Sequence, residues 1–310
     1  MNGGSMRLTM LASPKPFTGY IGIIQRNAIT SWTRLYPRPE IVLFGEDAGT
    51  ADLCLELGLT HLPAVQRNDR GTPLLNDVLA QGTRLATQGP MCFINADIIL
   101  MNDFARAVDR VASEKKSFLM IGQRTDLDMT APIAFDDPGW PESLRSALTA
   151  GGRLHGEDGI DYFVFTQGIF DPVPPLLVGR AAIDNWLVFR ARARWRTVID
   201  ATAAVTAVHQ NHDYSHHPEG RAGVYAGDEA QTNLQLAGGL DHLFWINDRT
   251  HRLTTDSLRL DLQWKQLRRH WDRLPVLVPH AVRPIVLLLQ MLQRGIGAGL
   301  RMTGLRTAQH

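Results

Sequence analysis

The sequence predicts an α/β fold: a mixed, mostly parallel sheet with helices on both faces, followed by a helical C-terminal extension. Two observations carry this. Between residues 8 and 208, short apolar runs alternate with longer amphipathic ones, and such a βαβα rhythm implies parallel strands joined by crossover helices. The 310-residue chain is also 44% hydrophobic and only 20% charged, which supplies a sizeable core.

The elements follow in order. Residues 8–12 are an unbroken apolar strand, and after a proline-containing loop residues 21–35 take helical periodicity. Residues 40–44 form a second strand and 51–57 a short helix. A helix over 73–86 begins with Thr72 as N-cap and Pro73 in its first position. Residues 91–94 are a strand, 103–113 a helix and 117–122 a strand. Periodicity then fails over 126–156, where Pro, Gly, Asp and Trp140 dominate, and so long an irregular stretch is usually functional or mobile. Strands resume at 162–166 and 197–208, with a helix at 183–192 between them. Beyond Asn211 the chain is rich in His, Gly and Arg, then helical to its end.

Composition excludes several classes. A net charge of +1 argues against a nucleic-acid binder. Cys54 and Cys92 lie in apolar segments without metal-site spacing, so they read as reduced core thiols of a cytoplasmic protein. Residues 1–6 contain no apolar h-region, so no secretory signal is expected, and Gly3-Gly4-Ser5 reads as a linker before a native start at Met6.

The most telling stretch is 91–100, Met-Cys-Phe-Ile-Asn-Ala-Asp-Ile-Ile-Leu. A buried strand there releases Asn95 and Asp97 at a carboxyl edge, where open α/β sheets bind ligands. Asp97 offers a hard oxygen to Mg²⁺ or Mn²⁺, and Ala96 leaves room for a diphosphate. Capping of the next helix would explain the same residues. Further along, the apolar strand before His209 opens into a cluster of four histidines, His209, His212, His216 and His217. A solvated loop that binds metal adventitiously is the plain alternative.

Asn95-Ala96-Asp97 resembles the Asp-x-Asp motif of GT-A glycosyltransferases, with Asn in the first acidic place, and the resemblance spans residues 6–217. It implies a GT-A, Rossmann-like catalytic domain over 1–217, with 218–310 as the helical extension. It implies a metal-dependent transfer of sugar from a nucleoside diphosphate, UDP- or GDP-linked, to a hydroxyl of a glycan or lipid-linked acceptor. The donor would be held by Ser13, Pro14 and Lys15 after the first strand, and by Glu46 and Asp47 after the second. Asn68, Thr72, Asn95, Ala96 and Asp97 would complete that site. Mn²⁺ or Mg²⁺ would be bound by Asp97 and His209, with Asn95 through its carbonyl and His212 in reserve. Asp184, in the first turn of its helix, takes the place of the carboxylate that activates the acceptor, and Asp161, Tyr162 and Trp186 would form the acceptor pocket. Each has a structural alternative: a solvated turn for Glu46 and Asp47, a dipole-favoured helix acid for Asp184, a core aromatic for Trp186. A nucleotidyltransferase would share the sheet and the metal chemistry, but Lys15 stands between two prolines and lacks a glycine run. A catalytically inactive GT-A-like scaffold, which Asn95 favours, is the alternative from another class.

From Trp264 onward eight Lys or Arg oppose Asp272 alone. The apolar run 284–292 between them is far shorter than the ~20 residues a membrane span requires. This pattern suits either an interfacial segment at the inner face of a membrane or a homodimer contact.

Overall fold

The computed structural model describes residues 7–86, 89–212, 220–278 and 280–302. The expected linker at 3–5 and the histidines at 216 and 217 lie outside the described residues. The elements run β1 (Thr9–Ala12), α1 (Gly19–Thr33), β2 (Glu40–Phe44), α2 (Thr50–Leu57), β3 (Thr60–Leu62), α3 (Leu75–Leu85), β4 (Met91–Ile94) and β5 (Ile98–Leu100). Then come α4 (Asn102–Glu114), β6 (Phe118–Ile121), β7 (Thr125–Leu127), α5 (Trp140–Gly151), β8 (Arg153–Leu154), β9 (Tyr162–Phe165), α6 (Ile183–Ala193), β10 (Thr197–Asp200) and β11 (Ala207–Gln210). The chain finishes with α7 (Gly220–Ala226), α8 (Asp228–Leu236), β12 (His251–Leu253), β13 (Leu258–Leu260), α9 (Trp264–Leu277) and α10 (Arg283–Met302).

A nine-stranded sheet has the order β13-β12-β10-β6-β9-β4-β1-β2-β3. Its pairings are parallel except where β9 runs against β4 and β6 and where β13 folds back on β12. The mixed, mostly parallel sheet expected from the sequence is therefore present. Alternation along each strand sends side chains to both faces. Met10 and Ala12 join Cys92, Met120 and Val164 in a large core. Helix α4 seals that core with Phe104, Ala107, Val108 and Val111, an i, i+3, i+4, i+7 stripe. Leu11 points the other way, toward Gly82 of α3.

A second sheet of four strands, β5-β11-β7-β8, stands beside the first. Strand β11 is antiparallel to β5 and parallel to β7. The stretch expected to be irregular thus contains two strands and helix α5. Its apolar residues Leu127 and Leu144 are buried with Ile99 and Val208, and Trp140 and Leu148 pack against them. The single strand expected over 197–208 is two. Asp200 Oδ1 accepts hydrogen bonds from the Thr202 amide at 2.9 Å and from its hydroxyl at 2.6 Å. That turn ends β10 in the large sheet and lets β11 begin in the small one.

The chain divides into two compact units, Met1–Asp261 and Leu262–His310. The division falls after 261, where the sequence suggested 217. The reason is the hairpin β12–β13: β12 pairs in parallel with β10, and buried Asp261 accepts from Arg249 at 2.9 Å and Arg252 at 2.8 Å. In the second unit Gln290 of α10 is buried and donates to the Trp271 carbonyl of α9 at 2.6 Å. No helix among the described residues is long and apolar enough to cross a membrane.

Candidate functional site

Strand β4 ends at Ile94, and Asn95-Ala96-Asp97 carries the chain from the large sheet into β5 of the small one. This junction forms one wall of a cavity of about 210 Å³. Pairing fixes what lies beside it. His209 stands in register with Ile98 on one side and with Asp126 on the other. His212 Nε2 lies 3.2 Å from Asp97 Oδ2, and His209 Nε2 lies 3.8 Å from the same oxygen. Ligand atoms of Asp97, His209 and His212 all fall within 4.8 Å of one another. Gln210, fully buried, secures the group by donating to the carbonyls of Ile24 at 2.8 Å and Asp97 at 3.1 Å.

The residues fit a divalent ion. Asp97 Oδ1 is buried without a hydrogen-bond partner among the described residues, and such an atom is costly unless something binds it. Burial pushes the Asp97 carboxyl up. The His212 hydrogen bond and the charges of His209, Lys15 and His212 outweigh it and hold the group well below the usual carboxylate range. One carboxylate with two imidazoles suits Mn²⁺ better than Mg²⁺, which prefers oxygen ligands.

Asn95 has a different place from the one expected. Its Nδ2 donates to Asp161 Oδ1 at 2.6 Å, and its backbone amide donates to the Asp161 carbonyl at 3.0 Å. The other Asp161 oxygen takes Arg124 at 2.7 Å. Asn95 therefore orients a carboxylate at the cavity wall, and the amide stands where an acid would repel Asp161.

Two cations, Lys15 and Arg180, line the same cavity as Asp97. Lys15 follows β1, and its backbone is clamped by buried Gln25, which accepts from its amide at 2.7 Å and donates to its carbonyl at 2.8 Å. Burial and the nearby Arg180 lower the Lys15 pKa, while Asp97 opposes the shift. Arg180 Nε donates to Glu229 Oε2 at 2.7 Å. Asn68 at 2.6 Å and Thr72 at 2.8 Å hold the other Glu229 oxygen. Asn68 and Thr72, expected at the donor, thus fix Arg180 through Glu229 and do not line the cavity. Thr72 is not an N-cap: α3 starts at Leu75, with Leu74 preceding it.

Asp184 does line the cavity, in the first turn of α6. The turn before it passes through Ala182 at φ 77°, a strained position of the sort that gathers at functional sites. Burial, aided by the charges of Asp161 and Asp158, raises its pKa to about 7 against two backbone N–H groups.

Ser13, Lys15, Asn95, Ala96, Asp97, Asp161, Asp184, His209 and His212 are therefore brought together. Besides Asn68 and Thr72, five other candidates are not. Pro14 is buried beside the cavity, and Asp47 pairs with Arg67 at 3.0 Å while Glu46 is exposed, so neither acid reaches it. Tyr162 is 1% exposed with its ring edge-on to Phe104, and alternation sends Phe163 to the cavity in its place. Trp186 is 4% exposed with its ring tilted against Phe170, and two residues on from Asp184 it leaves the opposite side of α6. The sequence reading missed Arg124, Asp126, His155 and Arg180. Their partners are distant in the chain, and an isolated arginine in a loop carries no periodic signal.

No family model matches the chain, and no curated protein does. Among solved structures it is similar to TarS 1–349 of S. aureus in complex with UDP-GlcNAc, at 12% identity over 41% of this chain and 36% of that one, TM-score 0.32. A mannosyltransferase from Pyrobaculum calidifontis with GDP-Man and Mn²⁺ aligns at 15% identity over 66% and 57%, TM-score 0.40. Glucosyl-3-phosphoglycerate synthase from Mycobacterium tuberculosis with Mg²⁺ and UDP aligns at 12% over 76% and 80%, TM-score 0.45. The matched region spans less than two-fifths of the TarS chain. At such distances the reading of function rests on the side chains themselves.

Asp184 also makes stability depend on pH. Its folded pKa, about 7, lies above the ordinary 3.8, so the native state holds the proton more tightly across that interval. Its contribution is fully present below about 3.8 and is lost as pH rises through about 7. A completely dry site would lose ~4 kcal/mol, and the water-accessible cavity reduces this to ~1–3 kcal/mol. Urea unfolding of wild type and Asp184→Asn at pH 4 and pH 8 should show wild type losing that much relative to the variant. A constant difference would show that the carboxyl is solvated.

Proposed function

We propose that the protein is a metal-assisted glycosyltransferase that moves a sugar from a nucleoside diphosphate to an acceptor hydroxyl. One observation carries this reading: a cation site of Asp97, His209 and His212 shares a cavity with Lys15, Arg180 and the protonated-to-neutral-pH carboxyl of Asp184. A dianionic diphosphate matches the pair of cations, and the two histidines and carboxylate match Mn²⁺. Oxygen-activating iron sites also use two histidines and a carboxylate. The cationic wall of Lys15 and Arg180 favours an anionic substrate instead.

Bound Mn²⁺ would serve as a Lewis acid toward the departing diphosphate. Lys15 and Arg180 add fixed positive charge where that leaving group gathers its electron pair. Asp184, ionised, accepts the proton of the acceptor hydroxyl as its oxygen bonds to the sugar's anomeric carbon and the bond to the diphosphate breaks. A base with a pKa near 7 is well matched to this proton transfer. Arg124 and Asn95 hold Asp161 by both oxygens, so Asp161 shapes the acceptor side while Asp184 handles the proton.

Two substitutions divide binding from chemistry. Asp97→Ala should abolish the Mn²⁺-dependent rise in melting temperature with nucleoside diphosphates. Asp184→Asn should retain that rise but lose about two to four powers of ten in transfer, typical of a general acid–base group. In wild type, transfer should climb with pH through about 7. Loss of nucleotide binding in Asp184→Asn would make Asp184 a donor contact and overturn its assignment.

The acceptor is proposed to be a glycan or lipid-linked molecule in polysaccharide assembly, met at a membrane surface. Support comes from α10, where Ile285, Leu288, Leu289 and Leu292 repeat at i, i+3, i+4, i+7 and are each about half exposed. Only Val286 and Gln290 between them are buried. Lys265, Arg268, Arg269, Arg273 and Arg283 lie in the same unit, and each such charge adds ~1 kcal/mol of attraction to anionic lipid. Vesicles containing anionic lipid should sediment the full chain in a salt-sensitive way, and Ile285→Glu with Leu289→Glu should release it. A dimer that those changes dissociate, with no vesicle binding, would make the stripe a subunit contact.

A further inference from the structure

The carboxylate behind His209 has a role that the proposed function leaves unassigned. Asp126 stands opposite His209 across the parallel pair β7–β11, so both side chains leave the small sheet on one face. Asp126 Oδ1 lies 3.0 Å from His209 Nδ1. Its other oxygen lies 2.5 Å from His155 Nδ1, and Arg124 Nε donates to Oδ1 at 3.0 Å. Arg124 is itself anchored at its far end by Asp161, at 2.7 Å. The carboxylate is thus held from three directions and cannot swing away from the imidazole.

A neutral imidazole has one N–H and one lone pair, and the partner of one nitrogen decides the state of the other. A carboxylate at Nδ1 makes that nitrogen the donor and leaves the lone pair on Nε2. Nε2 is the nitrogen that faces Asp97. We propose that Asp126, braced by Arg124, is a positioning residue that fixes the tautomer and ring orientation of His209 so that Nε2 is presented to the cation. The inference rests on the metal reading of Asp97, His209 and His212. Carboxylates placed behind ligating histidines are worth ~10–100-fold in metal affinity.

The test measures Mn²⁺ binding by the full chain without nucleotide, from the electron paramagnetic resonance of the free ion. Asp126→Ala should raise Kd ~10–100-fold. Nitrogen-15 NMR of histidine-labelled wild type at pH 8.5, without metal, should find the His209 proton on Nδ1, a readout that needs no variant to fold. Mn²⁺ binding that Asp126→Ala leaves untouched, or a proton on Nε2, overturns the proposal alone. Wild type that binds Mn²⁺ no better than Asp97→Ala overturns the metal site and this proposal with it.

Discussion

The pairing of β11 between β5 and β7 is the constraint on which the site depends. It sets His209 in register with Ile98 and with Asp126 at once, so a residue more than a hundred positions downstream of Asp97 arrives beside it. A slip of one residue would turn His209 to the opposite face and bury an apolar neighbour's place with imidazole. Buried Val208 and Ile99 resist that slip, since both belong to the apolar cluster beneath the small sheet. Packing there and ligand geometry above are two faces of one strand alternation.

The charges are balanced in chains. Asp161 is shared between Asn95 and Arg124, Arg124 between Asp161 and Asp126, and Asp126 between His209 and His155. A second chain runs from Asn68 and Thr72 through Glu229 to Arg180. A buried charge with several hydrogen bonds is affordable where a lone one is not, and truncating any member would strand its neighbour. Asn95 fits this logic: its amide donates where a second carboxylate would stand against Asp161. Asp184 is the exception among the acids: burial above all, with the negative charges of Asp161 and Asp158 beside it, holds its proton, and among the described residues no cation pairs with it.

The two units differ in how they meet water. The first buries most of its described apolar residues, among them the clusters on either side of β5 and β11. The second is a helical pair in which many of the described apolar residues of α10 face outward.

The sequence by itself determined the α/β class, the elements β1, α1, β2, α2, α3, β4, α4, β6, β9 and α6 in their order, and the loops that reach the cavity: Lys15 after β1, Asp97 after β4, Asp184 opening α6 and His209 near the end of β11. These are local signals, because periodicity and capping depend on residues a few positions apart. Tertiary structure decided the rest. Tyr162 and Trp186 look like binding aromatics in sequence, but strand alternation and helix phase turn them into core. Thr72 looks like a cap, yet Glu229, distant in sequence, takes its hydroxyl. The hairpin β12–β13 is too short to show a period, and only its pairing with β10 makes it sheet. Arg124, Asp126, His155 and Arg180 acquire meaning from distant partners, such as His209, eighty-three residues on from Asp126. Such partnerships are settled by register and burial, which no window of sequence contains.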